Sequence, residues 1–368
     1  TELKGLGMEY KNKLIRFGQN RVWRSYSGGK VLDQIDNESV PVDSHFPEDW
    51  IASVTKAVNP GRETISEGQS TAIIGDHSLD FAELLDLDPE YFLGKEHFSR
   101  FGSNPMVLIK FLDSSIRLHF QAHPTREFAQ KHLDSNSGKA EAYYILQVRE
   151  EIDDPYIYLG FQTPPTKETL KEIIVEQDIN RLKTCFEKIK VSPGECYFIP
   201  GGMPHAIGEG ILMIEIMEPS DWAVRFEFER AGYTLPEEAR YMKRDLDFCL
   251  DVFDYSEKSV EAVATQNKKA PQLLTTYADG SVKESLIDDK TTDRYRVCRT
   301  KVISSITKSE SDFYVGVIAA GSCTIKLDEE ILVLNKYDKF FCPAGIENIT
   351  IETDDGVEII ECYPPLTN

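Results

Sequence analysis

Gln121 and His123 stand two residues apart in SIRLHFQAH (115–123), where apolar and polar residues alternate with period two. That is the period of a strand, so the two side chains share a face. Glu141 heads the apolar run EAYYILQV after a Ser/Gly turn, and His205 follows Pro-Gly-Gly-Met-Pro at the start of a further strand pattern. One amide oxygen, two imidazoles and one carboxylate make a donor set suited to Zn²⁺ and tolerant of Mn²⁺, Co²⁺ or Fe²⁺, with a position left for water. Taken singly, each His also reads as a hydrogen-bonded core residue and Glu141 as a surface charge. The order QxH, KxE, PxH, each at a strand end, favours one divalent metal ion per chain, Zn before the others.

The elements that must position these residues are mostly strands. VLIKFL (107–112), EAYYILQV, YIYLGF, ECYFIP and ILMIEIM are short apolar or alternating runs bounded by Gly, Pro or acidic residues. Three stretches read as helix. They are LDFAELLDLDPEYF, residues 166–189 with Leu170, Ile173, Ile174, Ile179, Leu182, Phe186 and Ile189 at helical spacing, and a segment from the capping-box pattern Thr234-Leu-Pro-Glu237 through Phe253. Residues 255–290 are polar and poor in pattern, which sets a domain boundary there: an N-terminal barrel over 1–254 and a C-terminal one over 255–368.

A weak internal repeat supports that division. ECYFIPGGMPHAIGEGILMIEI (195–216) is similar to DKFFCPAGIENITIETDDGVEIIE (338–361), each an aromatic-rich strand, a Pro-x-Gly turn and an apolar strand. The expected fold is therefore mainly β, two double-stranded β-helix (jelly-roll) barrels with a few helices packed outside. Asn348 aligns with His205, Ser311 falls roughly opposite Glu141, and no His occurs after His205. The metal site is then expected in the first barrel, the second being structural.

The segments NRVW, EDW, LIKFLD, LHFQAHP, GKAEAYYIL and FIPGGMPHAIGEGILMIEIMEPSDWAVRFEFER together resemble the type I mannose-6-phosphate isomerase family of the cupin superfamily. The likeness runs through Arg230 and more loosely beyond. It implies metal ligation by Gln121, His123, Glu141 and His205. It also implies an active-site lysine at Lys139, a pocket lysine at Lys110, a pocket acid at Glu215 and a catalytic arginine at Arg225. The implied reaction is aldose–ketose isomerisation of a sugar phosphate, mannose 6-phosphate to fructose 6-phosphate, through an enediol. The cation-rich site stabilises charge, and Glu215 or a lysine assists proton transfer. Two positions depart from the family: His119 replaces a common Ser, reading as a substrate-pocket residue, and Thr125 replaces an acid. Simpler readings stand beside these roles: Arg225 and Glu215 as a salt-bridged pair, and Lys110 snorkelling to the surface.

A formal charge of −21 argues against nucleic acid and anionic membranes as partners. The scattered seven Cys fit reduced buried thiols, and the lack of a signal-like or membrane-spanning run suggests a cytoplasmic protein. Oligomeric state is not legible. A redox cupin, an isomerase of another sugar phosphate and a non-catalytic metal-containing sugar-binding cupin are the competing readings.

Overall fold

The computed structural model describes residues 2–367. The chain is mainly β and carries two pairs of antiparallel sheets. The first pair joins a six-stranded sheet, in the order Cys196–Ile199, Glu141–Val148, Ile211–Met217, Leu108–Asp113, Glu48–Ile51, Arg21–Val22, to a five-stranded one. The latter runs Ile189–Lys190, Tyr156–Leu159, His205–Ile207, Gln121–Ala122, Val224–Arg225. Period-two alternation decides what each face buries. Tyr143, Ile145, Ile211 and Met213 point inward onto Ile157, Leu159 and Ile207 of the facing sheet, while Tyr144, Leu146, Leu212 and Ile214 point outward.

The second pair repeats this plan. Its six-stranded sheet runs Lys339–Cys342, Tyr314–Gly321, Val357–Tyr363, Arg296–Val302, Val282–Ile287, Gln272–Thr276, and its four-stranded partner Glu330–Leu334, Cys323–Leu327, Ile349–Glu352, Ser305–Lys308. Strand for strand, the six-stranded orders coincide. The outward faces of the two six-stranded sheets meet, burying Phe111, Tyr144, Ile214 and Ile216 against Val297, Val315, Val317 and Ile360. Full burial of each such side chain is worth roughly 1.5–3 kcal/mol, so this seam is a core in its own right.

Several local expectations are corrected. LDFAELLDLDPEYF is two helices, Phe81–Leu87 capped by Asp80 and Pro89–Leu93, broken at the non-helical Asp88. Residues 166–189 give Lys167–Glu176, stopped by Gln177 at φ 51°, then Ile179–Lys183, with Ile189 already in a strand. The helix from Thr234 to Phe253 is not formed. Thr234 pairs with Glu229 in a hairpin, Met242 and Lys243 take φ values of 55° and 61°, and only Glu237–Ala239 and Leu246–Cys249 are helical. The positive φ values interrupt any continuous helix across 242–243. The pattern-poor 255–290 carries the helix Val260–Gln266 and two strands. One of these, Gln272–Thr276, is an edge strand exposed along its length, so it has no buried face to leave an alternation. In 115–123 only Gln121–Ala122 joins a ladder, and the rest is held by single bonds such as Leu118 N–H to the Ile207 carbonyl at 2.9 Å. All seven cysteines are buried and unpaired. Among the described residues no helix is long and apolar enough to cross a membrane.

Candidate metal centre and adjoining pocket

Two glycine turns bring the QxHP segment against the strands that carry Glu141 and His205. A Cβ on Gly201 would lie 2.6 Å from the Thr125 Cα, and one on Gly138 would lie 2.6 Å from the Pro124 carbonyl. Both positions therefore require glycine for the backbones to approach so closely. The Gly202 N–H donates to the His123 carbonyl at 2.6 Å, tying the turn before His205 to the other imidazole. In the sheet, Gln121 lies opposite His205 on one side and Arg225 on the other.

The three titratable members converge. His123 Nε2 is 2.9 Å from Glu141 Oε1, and His205 Nε2 is 3.5 Å from Glu141 Oε2. His123 Nδ1 lies 2.8 Å from the Trp222 carbonyl and His205 Nδ1 2.9 Å from the Met203 carbonyl. A carbonyl only accepts, so each Nδ1 is the protonated nitrogen and each Nε2 presents a lone pair. Both Nε2 atoms are buried without a hydrogen bond. Burial pushes the His123 pKa down to about 4 and lowers that of His205. Burial would raise the Glu141 carboxyl, but His123, Lys139 and His205 hold it well below the usual range. Two neutral imidazole lone pairs aimed at an ionised carboxylate repel one another unless a cation sits between them. The donor set therefore fits a divalent metal, which His123, Glu141 and His205 could hold together. Gln121 lines the same pocket as Glu141.

All nine residues singled out from the sequence meet at this place. Lys110, His119, Gln121, Lys139, Glu141, Glu215 and Arg225 line one pocket, with His123 and His205 behind Glu141. Lys110 does not reach the surface: it is 3% exposed, and its Nζ is 3.0 Å from Glu48 Oε1. Arg225 and Glu215 form no ion pair with each other among the described residues; Arg225 Nη1 donates to the Ala239 carbonyl at 2.9 Å. His119 Nδ1 donates to the Glu227 carbonyl at 2.9 Å, leaving Nε2 to accept from the Ser25 hydroxyl at 3.0 Å. With both nitrogens engaged, His119 lines the pocket and has no lone pair free for a metal. Lys139 Nζ is 3.8 Å from Glu141 Oε1, and its burial lowers its pKa. Glu215 is buried without hydrogen bond or ion pair among the described residues, and burial, with the nearby Glu141 charge, raises its pKa to about 8.

Four polar lining residues were not singled out: Arg24, Ser25, Tyr26 and Glu48. Glu48 gathers Tyr26 OH at 2.6 Å, Trp50 Nε1 at 3.0 Å, Lys110 Nζ at 3.0 Å and Arg24 Nε at 3.4 Å. Burial alone would raise its pKa, yet Lys110, Arg24 and the two hydrogen bonds hold it at about 2. The signal was present in the NRVW and EDW segments, which bracket these residues. The pocket is narrow, a cavity of about 30 Å³. That is room for a water or two, whereas small-molecule sites usually offer roughly 300–1,000 Å³.

No family model matches the chain. Mannose-6-phosphate isomerase ManA of Bacillus subtilis is 33% identical over 125 residues, which are 34% of this chain and 38% of that protein. The matched stretch thus spans well under two thirds of that relative. The crystal structure of mannose 6-phosphate isomerase from Bacillus subtilis superposes with a TM-score of 0.70 at 20% identity, covering 95% of this chain and 99% of the other. A crystal structure of mannose 6-phosphate isomerase bound with zinc and yttrium gives a TM-score of 0.68 at 14% identity, covering 96% and 100%. The sequence likeness relates the chain to mannose-6-phosphate isomerases; the structural likeness is one of fold.

Proposed function

We propose that this chain, a relative of the mannose-6-phosphate isomerases, is a metal-dependent aldose–ketose isomerase that interconverts mannose 6-phosphate and fructose 6-phosphate in the cytoplasm. One observation carries the reading. Two orphaned imidazole nitrogens converge on Glu141 beside a pocket that also holds an unpaired buried carboxyl, Glu215, and the cations of Lys139 and Arg225. We read the two sheet pairs as cupin barrels divided at residues 254 and 255, with one metal ion, Zn by donor chemistry, held by Gln121, His123, Glu141 and His205 in the first. When bound, such an ion supplies Lewis-acid stabilisation of negative charge on the substrate oxygens.

The chain's own residues do the rest. Isomerisation removes the proton from C2 of the open-chain aldose, protonates O1 to give the enediol, then returns a proton to C1 as the O2 hydroxyl loses its own. Glu215, without a hydrogen bond or ion pair among the described residues, would hold and move that proton. Lys139 and Arg225 stabilise the charge developing at the oxygens in a site shielded from water. Lys110 keeps Glu48 fixed and so sets the pocket wall.

The test is a coupled isomerase assay of the zinc-loaded protein over hexose and pentose phosphates. Turnover of mannose 6-phosphate is the expected result, and no turnover on any of them ends the isomerase reading. The narrow cavity favours a second reading, a metal-containing cupin that binds sugars without converting them; retained zinc and measurable sugar-phosphate binding with zero turnover would select it. His119 and Thr125, where relatives of this type commonly differ, would be the first positions to examine if another sugar phosphate proves to be the substrate.

A further inference from the structure

The pocket's charge does not balance once a divalent metal is added. Arg24, Lys110, Lys139 and Arg225 line it with Glu48, Glu141 and Glu215, and Asp221 acts on Arg24, Lys139 and Arg225 from nearby, so four cations already match four carboxyls before the metal brings two more positive charges. In a chain of net charge −21, a buried cationic excess needs an anion to complete it. Lys110 is committed to Glu48 by a hydrogen bond at 3.0 Å. Arg24 and Lys139 are held more loosely, each by one ion pair, Arg24 Nε to Glu48 Oε2 at 3.4 Å and Lys139 Nζ to Glu141 Oε1 at 3.8 Å. The Arg24 side chain is 11% exposed and makes no hydrogen bond among the described residues. Glu48 keeps its bonds from Tyr26, Trp50 and Lys110 at 2.6–3.0 Å if Arg24 turns away.

The backbone around Arg24, by contrast, is fastened. Its N–H donates to the His45 carbonyl at 2.8 Å, and its carbonyl accepts from His45 Nδ1 at 2.8 Å. Asn59 Nδ2 donates to the Trp23 carbonyl at 2.8 Å, and the Trp23 ring stacks on His45. A guanidinium with hydrogen-bond donors to spare on a fixed backbone can grip a tetrahedral dianion through paired N–H donors. We infer that Arg24 is a substrate-recognition residue that holds the phosphate group of the ligand and moves off Glu48 to do so, leaving Arg225 to the reacting oxygens. The inference rests on the sugar-phosphate reading for its ligand and on the pocket for its residue.

Inorganic phosphate is the probe, titrated calorimetrically into the zinc-loaded protein. Arg24→Gln should raise the phosphate Kd roughly 10–100-fold, the usual cost of a lost charged hydrogen-bond pair, with zinc content unchanged. Arg24→Lys, which keeps the charge but not the fork, should raise it by a smaller factor of about 3–10 and guards against misfolding of the first variant. In turnover assays both variants should raise KM for the sugar phosphate and leave kcat within a few-fold. Phosphate Kd values within twofold of wild type in both variants would overturn the inference, as would a lowered Tm with unchanged binding. Because phosphate binding is read without turnover, failure of the isomerase reading and failure of Arg24 give different results.

Discussion

The two sheet pairs share a strand order and solve the same problem in opposite ways. In ILMIEIM and VEIIECY the fifth residue is an inward-facing glutamate, Glu215 in the first pair and Glu361 in the second. Glu215 stays unpaired at the pocket. Glu361 is bonded to Thr300 Oγ1 and Lys308 Nζ and accepts from Tyr363 OH at 3.3 Å, and Lys308 is itself buried and 3.3 Å from Glu310. The other ligand positions differ in kind. Glu141 pairs with Ile199 and Met217, whose counterparts Cys342 and Tyr363 flank Tyr314, so register sets Tyr314 where Glu141 stands. The expectation of Ser311 there was wrong by three positions, because the weak repeat begins only at residues 195 and 338, after these strands. Strand Ser305–Lys308 occupies the place of Gln121–Ala122, and Asn348 is exposed. A buried acid is either paired or kept protonated: the second pair supplies its own lysine, whereas in the first Glu215 makes no ion pair among the described residues and burial, with the Glu141 charge, raises its pKa to about 8.

Altering each half should separate these two solutions. The largest effect is expected at the metal. His205→Ala should lower zinc affinity by more than the roughly 10–100-fold that loss of a ligand's outer partner costs, while Lys308→Met keeps full zinc; elemental analysis after dialysis decides, and full zinc in His205→Ala would remove the metal assignment. Next, Glu215→Gln should cut turnover roughly 10²–10⁴-fold with zinc retained. Glu361→Gln should leave the rate per folded molecule unchanged, so equal losses in both would erase the contrast. Third, Lys308→Met leaves Glu361 a buried unpaired charge and should cost about 3–5 kcal/mol in urea unfolding. Lys308→Met combined with Glu361→Leu should recover most of that, since replacing both partners with apolar groups is often near neutral.

The smallest effect is a pH dependence at Glu48. Its folded pKa of about 2 lies below the ordinary 4.5, so the folded state binds fewer protons than the unfolded one in between. Stability from this group is complete above pH ~4.5 and is lost as pH falls toward ~2, a change of about 3 kcal/mol. Glu48→Gln should flatten the acid limb of the stability curve by about that amount; an unchanged limb would mean that Lys110 and Arg24 do not hold this carboxylate charged.

The four candidate ligands were legible because chemistry and punctuation coincide in the sequence, whereas Lys110, Lys139, Glu215 and Arg225 came from the family resemblance and His119 from a departure from it. Gln121, His123, Glu141 and His205 each stand at a strand end beside a Gly or Pro turn, and strand period two fixes which side chains share a face. Arg24 and Glu48 were not, because Glu48 stands 62 residues before its partner Lys110, and an acid in EDW reads as a surface charge. The ladder from Glu48 opposite Leu112 to Ile51 opposite Ile109 brings that segment alongside. The 234–253 helix was over-read for the opposite reason: apolar spacing was present, but Met242 packs from a turn and Leu246 from the short helix Leu246–Cys249 instead of one continuous helix.

The seam between the six-stranded sheets has a practical consequence for fragments of the chain. Strands Glu141–Val148 and Ile211–Met217 carry the site on one face and Tyr144, Ile214 and Ile216 on the other, pressed against Val297, Val317 and Ile360. Residues 1–254 expressed alone would keep every candidate metal ligand yet present that apolar sheet to water, a large sticky surface. Such a fragment should collect in the insoluble fraction, and supplying residues 255–368 in trans should bring it back into solution.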